Sequence, residues 1–290
     1  MKDVAVIGGG PAGICAAVQL SRMGRGVTLF EGSRLGGQLN TARWVENYPG
    51  FPEGISGKEL AALMAKHLEK NEISVIMQDV KGITREGENI HIRYGDIVEP
   101  FFSTIVAIGA RKRSPDFFVS SKNVHNDILD IDYFGIDVAL IGGGESAFDR
   151  ALNLKERGAR VTVIARSKFK GLRLLQERAM RAGVKMLKNI HISSITDRDG
   201  KVNITTLDGE EMTFHKTILC LGKNSWQLPE NFLPKNTDIL KTEKGFARTS
   251  LNGVFLCGDL IAGKNRQTAF AVGSGIAAAI EVNEFLGGTR

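Results

Sequence analysis

Two short runs hold the residues best suited to chemistry. Gly8, Gly10 and Gly13 stand in VAVIGGGPAGI, and Gly142, Gly144 and Ala147 stand in VALIGGGESAF. Each run is apolar and β-branched, reaches three glycines and leads into a helical pattern, which predicts a strand turning sharply into a helix. The first turn of a helix leaves backbone N–H groups unpaired where the helix dipole is positive. Glycine there lets a pyrophosphate approach the backbone without meeting a side chain. Pro11, Ala12 and Ser146 fall in the opening turns of the two helices. The spacing predicts two dinucleotide sites.

The residues downstream of each run tell the sites apart. Glu31 lies 23 residues beyond Gly8, where a carboxylate accepts hydrogen bonds from both hydroxyls of an adenosine ribose. The matching position, 23 residues beyond Gly142, is Ala165, and Arg166, Lys168, Lys170 and Arg173 come directly after it. A carboxylate repels a 2′-phosphate and cations attract it. The first site is expected to take an unphosphorylated ribose and the second to take NADP(H).

The elements around the runs repeat as well. Shifting the chain by 134 aligns residues 4–31 with 138–165 without a gap, and 11 of the 28 positions are identical. Each copy continues through a further helix and strand into an antiparallel ribbon turned at Gly95-Asp96 or Asp208-Gly209, then a buried strand. Two fingerprints in register, each in its full βαβ context, are a far more specific signal than one. Residues 58–70 and 172–182 carry the apolar spacing of helices that pack on a sheet. Linkers are expected at 111–115 and around 224–235.

Further segments carry a family resemblance. GGQLNTARWVENYPGFP (36–52), TIVAIGA (104–110) and GVFLCGDLIAGKNRQTAFAVGSGIAAA (253–279) resemble the low-molecular-weight thioredoxin reductases, FAD- and NAD(P)H-dependent flavoproteins, over essentially the whole chain. The resemblance implies an α/β fold of two Rossmann-like, three-layer dinucleotide-binding domains, the second inserted into the first. The FAD domain would span 1–112 and 242–290, and the NAD(P)H domain 113–241. It also implies roles. Gly8, Gly10 and Gly13 would hold the FAD pyrophosphate and Glu31 the ribose. Gly36, Gly37, Gln38 and Asn47 would lie along the flavin, with Leu39, Val80, Ala107 and Gly109 on the walls. Asp259, after Gly258, would bind the ribityl chain, and Arg266, Gln267 and Thr268 the pyrimidine edge. A homodimer is the family expectation.

One departure bears on function. Thioredoxin reductases carry a CxxC just upstream of the second glycine run, whereas this segment reads NVHNDILDIDYFG, with Asp127 and Asp130 roughly where cysteines would stand. Cys15, Cys220 and Cys257 are the only cysteines, with no CxxC spacing, and a thiol–disulfide relay needs two neighbouring sulfurs. The same segment resembles the thioredoxin-reductase-like ferredoxin–NADP⁺ reductases, which also lack the dithiol. The expected function is therefore electron transfer between NAD(P)H and a one-electron carrier, ferredoxin or flavodoxin in type, directly through FAD. Two alternatives stand beside it: a ferredoxin-dependent flavoenzyme with little nicotinamide use, and a flavin-binding sensor or scaffold in which Trp44 or Tyr48 covers the ring.

Composition narrows the field further. Of 290 residues, 42% are hydrophobic and 24% charged, as in a globular protein, and no apolar run approaches the roughly 20 residues of a membrane span. Met-Lys-Asp leads directly into a strand, so a cytoplasmic protein is expected. A net charge of +6 without basic blocks suits an acidic protein partner and gives nucleic acid little support. The five histidines, His67, His91, His125, His191 and His215, have no ligand spacing, so no metal site is expected.

Overall fold

The computed structural model describes Asp3–Gly287 except Leu129, Trp226 and Glu243; Trp226, within the second expected linker, lies outside the described residues. The chain forms two compact units. The first comprises residues up to Asn40, Val45–Arg111 and those from Asn224 onward, and the second comprises Thr41–Trp44 and Lys112–Lys223.

The first unit opens with β1 (Val4–Ile7), α1 (Pro11–Arg22), β2 (Val27–Phe30), α2 (Gly57–Lys70) and β3 (Ser74–Ile76). A meander of β4 (Val80–Glu86), β5 (Asn89–Tyr94) and β6 (Ile97–Phe101) comes next, then β7 (Ser103–Val106). Every residue of β1 and β7 is buried, as expected of β-branched strands covered on both faces. They pair in parallel, with Val4 opposite Ser103 and Val27. Ser56 Oγ caps α2 by accepting from Glu59 N (3.1 Å).

The second unit carries β8 (Phe118–Ser120), β9 (Val124–His125), β10 (Asp137–Ile141), α3 (Glu145–Glu156), β11 (Arg160–Ala165), α4 (Arg173–Arg181) and β12 (Lys185–Lys188). Strands β13 (Ile192–Arg198), β14 (Lys201–Thr206), β15 (Glu211–Phe214) and β16 (Lys216–Leu219) complete it. Its parallel sheet runs β9-β16-β10-β11-β12. Phe148, Leu154 and Ala179 of the helices pack with Leu140 and Ile218 in one core, while Ala139, Ile141 and Leu219 pack with Ile195, Val202 and Ile204 of the meander in another. Adjacent residues of each strand point to opposite faces, so one strand feeds both layers.

The chain returns to the first unit through β17 (Ile239–Lys241), β18 (Ala247–Thr249), β19 (Val254–Leu256) and α5 (Thr268–Phe285). That unit's sheet runs β17-β18-β19-β7-β1-β2-β3. Its core joins Ile7, Phe30 and Val106 of the sheet to Ile83, Ile92 and Phe101 of the meander. On the helical side Gly275 of α5 comes so close to Ala12 of α1 that a Cβ would collide with its carbonyl. Both units are therefore Rossmann-like, three-layer α/β domains, the second inserted in the first.

The crossings differ in detail from those expected. The outward crossing falls at Arg111 and the return at Asn224, within the second expected linker rather than at 241–242. The cause is apolar: Leu228, Phe232, Leu233 and Ile239 pack into the core of the first unit.

Candidate functional site

In the first unit Gly8 ends β1 with φ +105°, and a Cβ there would collide with the Ala107 carbonyl. Its N–H donates to the Phe30 carbonyl (2.8 Å), tying the turn to β2. Gly10, the N-cap of α1, is different: its φ is −76° and a Cβ would meet nothing within 4 Å. Packing explains Gly8 and leaves Gly10 unexplained, unless the space before the helix is reserved for a ligand. Glu31 stands beside that space. Its carboxylate accepts from Gly9 N (2.7 Å), Ser33 N (2.8 Å) and Arg34 N (3.2 Å). Gly36 N donates to the Gly9 carbonyl (2.7 Å), bringing the Gly36–Gly37–Gln38 turn against the fingerprint.

The other predicted residues of this unit are placed as follows. Asn47 Nδ2 donates to Gln267 Oε1 (2.9 Å), and Gln38 Nε2 to the Ala110 carbonyl (3.3 Å). Gly258 abuts Ala12 of α1, and its N–H donates to Ser274 Oγ (2.9 Å). Asp259 lies in the short turn Gly258–Leu260, and Thr268 opens α5. Arg266 is held by the Gly263 carbonyl (2.6 Å). Leu39 and Ala107 are buried, Gly109 has φ +73°, and Val80 packs on the core at the start of β4. Asn47 and Tyr48 also line a cleft of about 320 Å³ within residues 46–52.

The second unit repeats the backbone bonds of the turn without the carboxylate. Gly142 has φ +138°, a Cβ there would collide with the Cys220 carbonyl, and its N–H donates to Ile164 (2.8 Å). Gly144 caps α3 and is as open as Gly10. Lys170 N donates to Gly143 (2.6 Å), as Gly36 does to Gly9. Ala147 is buried, and Ser146 is exposed in the first turn of α3. Ala165 is buried at the end of β11, leaving no carboxylate there. Arg166, Lys168 and Lys170 are exposed beyond it, and Arg166 Nη1 meets Asp116 Oδ2 at 2.5 Å.

The segment upstream of the second glycine run carries several ion pairs. Asp127 is ion-paired with Lys112 and Arg150, and Arg150, buried on α3, also donates to Cys220 Sγ (3.3 Å). Asp130 lies 3.9 Å from Arg157. His125 pairs along β16, its Nε2 is buried without a partner, and burial together with Lys216 lowers its pKa. All three cysteines are free thiols. Burial pushes Cys257 up to about 12 and Cys15 up to about 11, and it raises Cys220 as well. Neutral thiols of this kind are poor nucleophiles.

Sequence reasoning paired Trp44 with Tyr48 near the flavin segment, and the structure separates them. Trp44 groups with the second unit, where Asp149 accepts from the backbone N–H of Arg43 (3.0 Å) and of Trp44. Burial raises the Asp149 pKa against these bonds. Tyr48 stays in the first unit, its ring 6.3 Å from that of Phe51. The ion partners Asp116, Arg150 and Arg43 were missed, because long-range pairs leave no local spacing to read.

The family model for pyridine nucleotide-disulphide oxidoreductases matches residues 2–275. The chain belongs to that family. It is 33% identical to a thioredoxin reductase of Mycolicibacterium smegmatis, covering 99% of this chain and 97% of that one. It is 30% identical to the thioredoxin reductase of Bacillus subtilis, covering 98% and 94%. The crystal structure of Lactococcus lactis thioredoxin reductase in its FR conformation superposes with TM-score 0.86 at 29% identity, covering 99% of both chains. As a thioredoxin-reductase-like member of the family, the protein is a flavin-dependent oxidoreductase whose cofactors are FAD and NADP(H).

The residues fit these groups. The bare backbone at Gly10 and at Gly144 is the cradle a Cβ would fill. Glu31, beside Gly9, would meet a ribose at the first turn, and the exposed Arg166, Lys168 and Lys170 would meet a 2′-phosphate at the second. Among the described residues no helix is long and apolar enough to cross a membrane, and no group of three or more His, Cys, Asp or Glu side chains is placed to hold a metal ion.

Proposed function

We propose that the protein passes electrons between NAD(P)H and a one-electron carrier, ferredoxin or flavodoxin in type, directly through its flavin and without a thiol relay. The observation that carries this reading is the 125–130 segment. Where relatives of this family would need a dithiol, the chain has Asp127, held by Lys112 and Arg150, and Asp130, 3.9 Å from Arg157, and burial raises the pKa of each of its three free thiols. Bound FAD supplies the conversion of hydride input into single-electron output. The chain's part is to bind and orient: Gly10 and Gly144 keep two helix N-termini bare for pyrophosphates, and Glu31 orients the adenosine of the first.

The partner we infer is acidic. The net charge of +6 supports this, as does the stretch 166–188, where Glu177 is the sole carboxylate beside Arg166, Lys168, Lys170, Arg173, Arg178, Arg181, Lys185 and Lys188. Such charge speeds encounter at low salt. We infer a homodimer as the assembly.

Anaerobic titration of the flavin absorbance with NADPH, NADH and reduced ferredoxin tests the proposal. Bleaching by NADPH, then reoxidation by ferredoxin, is the expected result. Bleaching by reduced ferredoxin alone selects a ferredoxin-dependent enzyme instead. A flavin that resists every donor makes the protein a binding module.

A further inference from the structure

We propose that Asp116 sets the choice between 2′-phosphorylated and unphosphorylated dinucleotides in the second unit. This rests on reading the second glycine turn as a dinucleotide site. In the first unit the ribose position is filled by Glu31, whose carboxylate lies against Gly9 N. The second unit has no such group: Ala165 occupies the position, and the Phe169 ring packs beside Gly143, edge-on to Phe148 at 5.5 Å. A carboxylate is nevertheless present near that end of the strand. It comes from a different element, the chain entering β8, where Asp116 Oδ2 lies 2.5 Å from Arg166 Nη1.

The pair gives the site two faces. Toward a 2′-phosphate, Arg166, Lys168 and Lys170 attract, while Asp116 repels and competes for the Arg166 guanidinium. Toward a 2′-hydroxyl, Asp116 is the acceptor that Ala165 is not. Both side chains are about two-thirds exposed (68% and 71%), so the ion pair adds little to folding and is free to exchange for a ligand. Asp116 thus holds the preference for the phosphorylated nucleotide below what the three cations alone would give. It is a specificity residue contributed from outside the βαβ unit, invisible to the fingerprint.

The test is calorimetric binding of adenosine 2′,5′-bisphosphate and of 5′-AMP to the FAD-loaded protein, its D116N variant and its R166Q variant. One charge removed next to a doubly charged phosphate at an exposed site is expected to raise the bisphosphate-to-AMP affinity ratio about tenfold in D116N. R166Q should lower it by about the same factor, and adding D116N to R166Q should then change it less than D116N does alone. The NADH-to-NADPH ratio of KM values for flavin bleaching should follow the same order, since a lower KM accompanies tighter binding. A ratio in D116N within twofold of the wild type overturns the role of Asp116 while leaving the dinucleotide site intact. If neither nucleotide binds the wild-type protein at millimolar concentration, the site itself is refuted and the inference with it.

Discussion

Adding one methyl group at Gly10 should separate what the fold needs from what the cofactor needs. Gly10 has φ −76° and ψ −178°, a conformation open to any residue, and its Cβ would touch nothing within 4 Å. Alanine at an N-cap is worse than glycine by about 0.5–1 kcal/mol, so the apoprotein should lose only about 2–4 °C in Tm. The same methyl stands in front of α1, where a pyrophosphate must reach bare N–H groups. Losing one charge-assisted hydrogen bond costs about 1.5–3 kcal/mol, or roughly 10- to 150-fold in FAD affinity. Gly144→Ala should do the same to NADPH and leave FAD retention unchanged, since that turn is as open. Gly13→Ala is the control, because its Cβ would collide with the Gly8 carbonyl and must damage the fold itself. The assays are fluorescence titration of apoprotein with FAD, NADPH binding to the refilled protein, and calorimetric melting of the apoproteins. Wild-type FAD affinity in Gly10→Ala, or a Tm loss as large as that of Gly13→Ala, would refute the reasoning.

The same geometry sets other outcomes. Glu31→Gln weakens the anchors to Gly9, Ser33 and Arg34 and should loosen FAD about tenfold, seen as faster flavin loss on gel filtration. With thiols at about 11 and 12, Cys15 and Cys257 are almost wholly protonated at pH 8, so a disulfide reagent such as DTNB should react at least 100-fold more slowly than with free cysteine until urea is added; one rapid native equivalent contradicts this. The Arg160 hydrogen bond and charge hold the Asp137 carboxyl below its ordinary value of 3.8. Its share of stability is thus present above the unfolded pKa and lost as pH falls through the lower folded one, and Asp137→Asn should flatten the Tm-versus-pH curve below about pH 4. Arg150→Met leaves Asp127 to Lys112 alone and Cys220 Sγ without its donor, and should cost about 1–3 kcal/mol in urea unfolding; an unchanged midpoint would show that the network is idle.

The parts legible in the sequence were those written locally. A strand, three glycines and a helix are contiguous, so Gly8–Gly13 and Gly142–Ala147 disclosed both turns, and the distance from Gly8 to Glu31 marked the carboxylate that meets Gly9 N. The helices near 58–70 and 172–182 also come from periodicity, appearing as Gly57–Lys70 and Arg173–Arg181. Features that depend on partners far along the chain stayed hidden. The return crossing moved because Phe232 finds an apolar core to enter, and Trp44 changed unit because Asp149 accepts its backbone N–H. The Arg166 cluster read as purely basic until Asp116, 50 residues upstream, was found against it. Charge partners across a fold carry no spacing, and no reading of runs and periods recovers them.

The most direct measurement removes every thiol. In a C15A/C220A/C257A variant filled with FAD, anaerobic stopped-flow should show NADPH bleaching the flavin and ferredoxin restoring its colour at close to wild-type rates. If that variant binds FAD and is reduced by NADPH but no longer passes electrons to the carrier, a cysteine lies on the path and electron delivery straight from the flavin is wrong.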